Sequence, residues 1–243
     1  MKRRGSIRIG TAGWVVPKEA ALLFSDAPGS HLERYARTFA CVEINSSFYR
    51  HHQASSYRKW AAHTPPGFRF SVKLSKVFTH ERRLENPGTE LNEVLSDVKE
   101  LGVKLGCILV QLPPSLKFES KKAGAFFAKL RKTWPGHVAL EPRHASWLST
   151  PALKTMNDDE LSFVISDPGL AAPDGLESKL LYYRLHGSPV RYRSRYTVEA
   201  LAAYANEMFE AGRVGKDVWC IFDNTMFAHA AVNASELVEI LKK

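Results

Sequence analysis

Apolar residues along the chain gather into eight short runs, at 7–10, 40–44, 68–72, 107–111, 137–141, 162–166, 180–185 and 218–222. The runs are rich in Val, Ile, Phe and Tyr and nearly continuous, the pattern of strands buried on both faces. Between them lie stretches whose apolar residues recur every three or four positions, at 31–38, 54–63, 90–101, 121–133, 150–157, 197–211 and 234–241. That spacing predicts amphipathic helices. Ser30, Ser120 and Asn233 stand where N-caps would satisfy free backbone N–H groups. The interval 168–179 is short and rich in Pro and Gly, so the crossover between strands six and seven is expected to shrink to a loop.

Strand and helix in alternation imply right-handed parallel crossovers. Eight strands in 243 residues fit a single (β/α)8 TIM-like barrel better than an open doubly wound sheet. No internal repeat, low-complexity tract or linker interrupts the pattern. Residues 1–243 therefore read as one domain, with a short basic tail at 1–5.

Composition narrows the partner. The chain carries 34 Lys+Arg against 25 Asp+Glu, a formal net charge of +9. Such a surplus points to an anionic ligand, DNA or RNA first and a phosphorylated or carboxylated small molecule second. Cys41, Cys107 and Cys220 sit singly inside apolar runs and read as small buried hydrophobes. No apolar segment approaches the roughly 18 residues of a membrane span, and the start has no signal core. The expectation is a soluble, cytoplasmic protein with no membrane partner.

In a barrel of this kind chemistry belongs at the carboxyl ends of the strands. Polar residues collect there: Glu43 and Asn45 after strand two, Lys73 after three, Gln111 after four, Glu141, Arg143 and His144 after five, Asp167 after six, Arg184 and His186 after seven, Asp223 and Asn224 after eight. Residues two apart on a strand share a face. Glu43 and Asn45, Ala139 and Glu141, Ile165 and Asp167, Arg184 and His186, and Ile221 and Asp223 are such pairs, which suggests a packed interior capped by a polar rim. By residue type, Glu43, Lys73, Glu141, His186 and Asp223 are the catalytic candidates. Arg143 and Arg184 could grip a phosphate or carboxylate. The competing reading is a network of ion pairs that merely closes the top of the barrel.

Glu43, Glu141, Asp167, His186 and Asp223 are also ligand types for a divalent metal. Lys73, Arg143 and Arg184 would roughly neutralise the four carboxylates without an ion, and no local ligand motif is present. No cofactor is assigned, with the metal kept as the alternative.

After strand seven, Arg191, Tyr192, Arg193, Arg195 and Tyr196 alternate guanidinium and ring, as expected where phosphates are held and bases stack. The alternative is a solvated loop whose tyrosines pack on the barrel. Lys73, Lys76, His80, Arg82 and Arg83 form a second basic cluster at the same end. Trp14, Phe48, Tyr49 and Trp147 follow strands and could wall a pocket, whereas Trp60, Phe126 and Trp134 read as core. His51, His52 and His63 have no evident partner and read as surface.

The strings IGTAGW (9–14), VEINSSFYR (42–50), FRFSVKLSKVFTH (68–80), LVQLPPSLKF (109–118), LEPRHASW (140–147), YYRLHGS (182–188) and IFDNTMFAHAAVNA (221–234) resemble the YecE-like family, domain of unknown function 72. The resemblance covers nearly the whole chain and implies a TIM barrel without an established reaction. Its motif positions here are Gly13, Trp14, Glu43, Asn45, Phe48, Tyr49, Lys73, Gln111, Glu141, Arg143, Trp147, His186, Gly187, Asp223, Asn224 and Asn233. Ala12 departs from the family, where Ser is more usual.

The leading expectation is an enzyme with hydrolase-like acid–base chemistry on a phosphate-bearing substrate, nucleic acid favoured. One alternative is a non-catalytic nucleic-acid-binding or adaptor protein. The other is a small-molecule enzyme, acting on a sugar phosphate or, with Glu43 and Glu141 as its carboxylate pair, on a glycoside.

Overall fold

The computed structural model describes residues 4–242. Of the basic tail at 1–5, residues 1–3 lie outside the described residues; Gly5 is tied down by its N–H, which donates to the Gly212 carbonyl at 2.9 Å.

The apolar runs form strands β1 (Ile7–Ala12), β2 (Cys41–Ile44), β3 (Arg69–Lys73), β4 (Leu105–Gln111), β5 (His137–Glu141), β6 (Leu161–Asp167), β7 (Leu180–Leu185) and β8 (Asp217–Phe222). All pair in parallel, each with its sequence neighbours, and β8 closes on β1. Helices α1 (His31–Thr38), α2 (Ser46–Tyr49), α3 (Ala54–Ala62), α4 (Glu90–Val98), α5 (Ser120–Thr133), α6 (Thr150–Asp158), α7 (Val198–Arg213) and α8 (His229–Leu241) lie between and after the strands. No helix forms between β6 and β7, as the Pro and Gly content there predicts.

Local chemistry decides the helix ends. Ser30 caps α1 in a reciprocal capping box with Glu33. Ser120 does not cap α5: it lies inside the helix, which starts after Glu119. Asn233 does not cap α8 either. That helix begins four residues earlier, at His229, and Asn233 is fully buried within it. Its amide accepts from the Tyr196 N–H at 3.0 Å and donates to the Tyr196 carbonyl at 3.1 Å, pinning the end of the β7–α7 loop. The helix expected over 90–101 stops at Val98 and tightens into a 3-10 segment, Lys99–Lys104, in which Gly102 takes a left-handed φ of 58°.

Two apolar layers result. The larger lies between strands and helices and contains Phe126 and Trp147. The smaller fills the barrel with Cys41, Cys107, Leu109, Ala139, Val164, Leu180, Tyr182, Trp219 and Ile221. All three cysteines are free and fully buried. Period two then turns Glu43, Lys73, Gln111, Glu141, Arg184 and Asp223 inward above this plug. On β6 the inward register is Ser162 and Val164, so Ile165 and Asp167 share the outer face. Asp167 accepts from the Tyr196 hydroxyl at 2.9 Å and stands apart from the other acidic candidates, because Ser162 pairs beside the inward Ala139 and the outward parity of β6 falls on Ile165 and Asp167.

Tyr182 stacks on Trp219 in the plug, with centroids 6.1 Å apart and planes within 8°. Trp219 in turn needs a neighbour without a side chain: a Cβ at Gly106 would lie 2.4 Å from its ring. Gly106→Ala is expected to destabilise by about 1–3 kcal/mol through overpacking. An unchanged melting temperature in calorimetry would show that the indole can move aside.

Candidate functional site

Above the apolar plug the barrel buries charge, and one guanidinium organises it. Arg184, 1% exposed, donates from Nε to Glu43 Oε2 at 3.1 Å and from Nη2 to Glu43 Oε1 at 2.7 Å. Its Nη1 donates to Glu141 Oε2 at 2.9 Å, and Nη2 reaches Asp223 Oδ2 at 3.1 Å. The Tyr182 hydroxyl, which period two places below Arg184 on the same face, donates to Glu43 Oε2 at 2.9 Å and lies 2.8 Å from Ser71 Oγ. Glu141 also accepts from Gln111 Nε2 at 2.8 Å and from Arg143 Nη2 at 2.9 Å. His186 is fully buried; Nδ1 lies 3.0 Å from Asp223 Oδ2, and Nε2 has no hydrogen-bond partner.

These contacts set the ionisation of the site. Burial pushes the Glu141 carboxyl up, but Arg184, Arg143 and His186, with the Gln111 bond, overcome it and hold the pKa at about 2. Burial opposes the ionised form of Asp223 as well, and the His186 bond and Arg184 outweigh it in lowering its pKa.

Lys73 is the exception. It is 7% exposed, and its amine makes no hydrogen bond or ion pair among the described residues; its Nζ lies 4.2 Å from the centroid of the Phe48 ring. Burial lowers its pKa, and Arg184 adds to the effect, bringing it to about 8 against the pull of Glu43, Glu141 and Asp223. Its amine opens onto a cleft of about 410 Å³ lined by Asn45, Phe48, Tyr49, His80, Gln111, Arg143, Arg184, Tyr192, Asp223 and Thr225. Asn45 Oδ1 is buried there without a partner. Tyr192, held at a left-handed φ of 64°, sets its ring 5.4 Å from that of His186 at one side.

Other candidates turn away. His144 Nδ1 accepts from the Ser146 N–H and caps a 3-10 turn. Trp147 is core, its indole N–H donating to the Leu116 carbonyl at 3.0 Å. Trp14 packs on Trp60, centroids 5.1 Å apart. Asn224 is fully buried and donates to the Ser194 carbonyl and to Asn233. Arg191 lies against Tyr192, Arg193 offers its carbonyl to His229, and Arg195 pairs with Glu236. In the second basic cluster, Arg82 pairs with Glu90, Lys76 with Glu81, and Arg83 binds the Ser115 carbonyl. His52, expected at the surface, is buried against Trp60, with Nε2 2.8 Å from Ser46 Oγ, and His51 pairs with Asp97. Among the described residues no group of three or more His, Cys, Asp or Glu is disposed to hold a metal ion. Both oxygens of Glu43 and of Glu141, and Oδ2 of Asp223, already have hydrogen-bond partners, and Asp167 is outside the cluster.

The model of a family described as "Protein of unknown function DUF72" matches residues 8–243. The chain belongs to this family. Its relatives include UPF0759 proteins: YunF of Bacillus subtilis (strain 168) is 28% identical over 279 residues, covering 97% of this chain and 94% of YunF. YecE of Escherichia coli (strain K12) is 31% identical over 107 residues, 44% of this chain and 38% of YecE. A crystal structure of a DUF72 family protein from Thermotoga maritima superposes with a TM-score of 0.78 at 24% identity, covering 98% of this chain and 100% of that one. The common fold is the eight-stranded barrel.

Two opposed stability effects follow for this DUF72 protein. Arg184→Met takes the guanidinium from Glu43, Glu141 and Asp223, leaving Glu43 buried with no cationic partner while Glu141 keeps Arg143 and Asp223 keeps His186, and should cost about 3–5 kcal/mol at pH 7. Glu141, whose folded pKa lies below its ordinary 4.5, stabilises the fold above that pH and loses the effect as pH falls from 4.5 toward 2. Urea titrations across that window should show a wild-type acid limb steeper than the variant's, in which Arg143 alone still lowers Glu141 among the arginines; an equally steep limb in the variant would sink the assignment. Lys73 acts oppositely. Its folded pKa lies below the unfolded 10.5, so it costs stability below pH 8, and the cost fades between pH 8 and 10.5. Lys73→Met should therefore stabilise by up to roughly 3 kcal/mol at pH 7 and by little above pH 10.5, read from urea titrations at those two pH values.

Proposed function

We propose that the rim cleft binds a small substrate bearing a phosphate or carboxylate, and that the protein is an enzyme performing acid–base chemistry on it with Lys73 and Asp223. The observation that carries this reading is the uncommitted Lys73 amine, which opens onto the same cleft as Arg143 and Asp223. A group with a pKa near 8 keeps about a tenth of its molecules neutral at pH 7, so it can both accept and donate a proton there. Arg143 spends Nε and Nη2 on Glu141, and its Nη1 makes no hydrogen bond among the described residues. That N–H pair suits an anionic oxygen. Asp223, bonded to His186, supplies a carboxylate on the cleft wall for a second proton transfer.

Nucleic acid is the second reading, favoured by the net charge of +9 and by Arg193, which follows the cleft-lining Tyr192 in the chain. It has less support than a small anion, because Arg82, Lys76 and Arg195 each have an acidic partner. Calorimetric titration with inorganic pyrophosphate separates the two. Under the first reading, wild type binds, Arg143→Ala weakens binding roughly tenfold or more, and Arg195→Ala leaves it unchanged. Equal affinity in wild type and Arg143→Ala would refute the anion site. Tight binding of a single-stranded oligonucleotide, with a salt dependence of many phosphates and loss in Arg195→Ala, would favour the second reading.

A further inference from the structure

We infer that Lys73 is a nucleophile, whose amine forms an imine with the carbonyl carbon of an aldehyde or ketone that also carries an anionic group. The inference deepens the reading of the cleft given above and rests on it.

The argument begins with what Lys73 does not do. A buried ammonium kept for structure is paired, since an unpaired one is costly. Three carboxylates, Glu43, Glu141 and Asp223, attract Lys73 electrostatically, yet none is within ion-pair distance of it. Glu43 is held by Arg184 and Tyr182, and Glu141 by Arg184, Arg143 and Gln111. With their oxygens engaged elsewhere, they polarise the amine without clasping it. Anion capture alone does not explain the residue either. Arg143 already offers a permanent charge, and a lysine that is partly neutral at pH 7 is a poorer clamp than an exposed one. A desolvated neutral amine is, however, a good nucleophile toward carbonyl carbon.

The surroundings suit the product as well as the reactant. An imine formed on Nζ is cationic when protonated, and the Phe48 ring face 4.2 Å away attracts a cation in either state. Asn45 Oδ1, buried on the same cleft without a partner, is an acceptor for a polar hydrogen of the bound carbonyl compound. Asp223 can carry the protons. The ammonium gives one, through an intervening solvent water, to the Asp223 carboxylate on the wall of the same cleft, and the neutral nitrogen attacks the carbonyl carbon, forming a C–N bond as the C–O π pair moves to oxygen. A proton passes from nitrogen to that oxygen. The carbinolamine hydroxyl takes the proton held by Asp223 and departs as water, while the nitrogen lone pair closes the C=N bond. Ammonium and carbonyl thus become iminium and water, with no oxidant or reductant required.

Borohydride trapping tests this directly. The protein is incubated with pyridoxal 5′-phosphate, an aldehyde carrying a phosphate, or with glyoxylate, a far smaller aldehyde carrying a carboxylate, then reduced and mapped by peptide mass spectrometry. The expected result is labelling of Lys73 at least tenfold faster than of the exposed Lys154 and Lys179, with a rate that rises through a midpoint near pH 8. Arg143→Ala and added inorganic phosphate should each slow it. Failure of both probes to label Lys73 faster than Lys154 overturns the inference. If pyrophosphate still binds through Arg143 in that case, the imine alone is lost; if it does not, the cleft reading falls too. Fast labelling indifferent to Arg143→Ala overturns the requirement for an anionic group.

Discussion

The upper barrel depends on how Arg184 is neutralised. Its guanidinium is almost wholly buried, and an isolated charge in such surroundings would be prohibitively expensive. It is tolerable because the planar fork matches carboxylates held on β2, on β5 and just beyond β8, so that the same group ties together staves on different sides of the barrel. The dependence runs both ways. Glu43 and Glu141 are themselves buried, and without the guanidinium each would have to protonate or draw in water. The register of β2, β5, β7 and β8 therefore has little room to slip: a shift of one residue would move a charged side chain from this cluster into the apolar layer beneath the helices.

Neutralisation by Arg184 explains the state of Lys73. Had Glu43 or Glu141 kept a free oxygen, the ammonium would have paired with it and its pKa would have risen. Because the oxygens are already occupied, burial dominates and the pKa falls. The same network thus supplies rigidity and leaves one amine reactive. The unpartnered atoms nearby belong to the same pattern, since Asn45 Oδ1 and His186 Nε2 are buried without the bond that structure alone would require.

Much of this was legible in the chain, and the reasons are physical. Strands buried on both faces leave continuous apolar runs, so their number and order can be counted, and period two puts Glu43 with Asn45, Glu141 with Ala139, Arg184 with His186 and Asp223 with Ile221, each pair on one face of its own strand. What was illegible needed absolute orientation. Ile165 and Asp167 share a face as expected, but nothing local says that this face is the outer one. His144 and Trp147 follow the same strand as Arg143, yet the 3-10 turn at Ala145–Leu148 carries one into a cap and the other into the core. Asn233 has a good capping side chain, but its amide is engaged by Tyr196 and Asn224, 37 and 9 positions away. Tyr182 shares the face of Arg184, but a tyrosine inside an apolar run reads as packing, and only the fold brings its hydroxyl to Glu43.

The charge of the chain and the charge of the site are separate matters. The surplus of nine positive charges invites a search for a basic face. At the rim, however, Lys73, Arg143 and Arg184 meet Glu43, Glu141 and Asp223, so the fixed charges balance when Lys73 is protonated. A ligand entering the cleft is not drawn by a strong local excess of positive charge. It meets directional groups whose partners are missing, the Lys73 amine, the outer N–H of Arg143 and the carbonyl of Asn45. Selection in such a cleft comes from matching those few groups at short range, which favours a small molecule with one anionic end and one reactive polar centre over a long polyanion held by diffuse attraction.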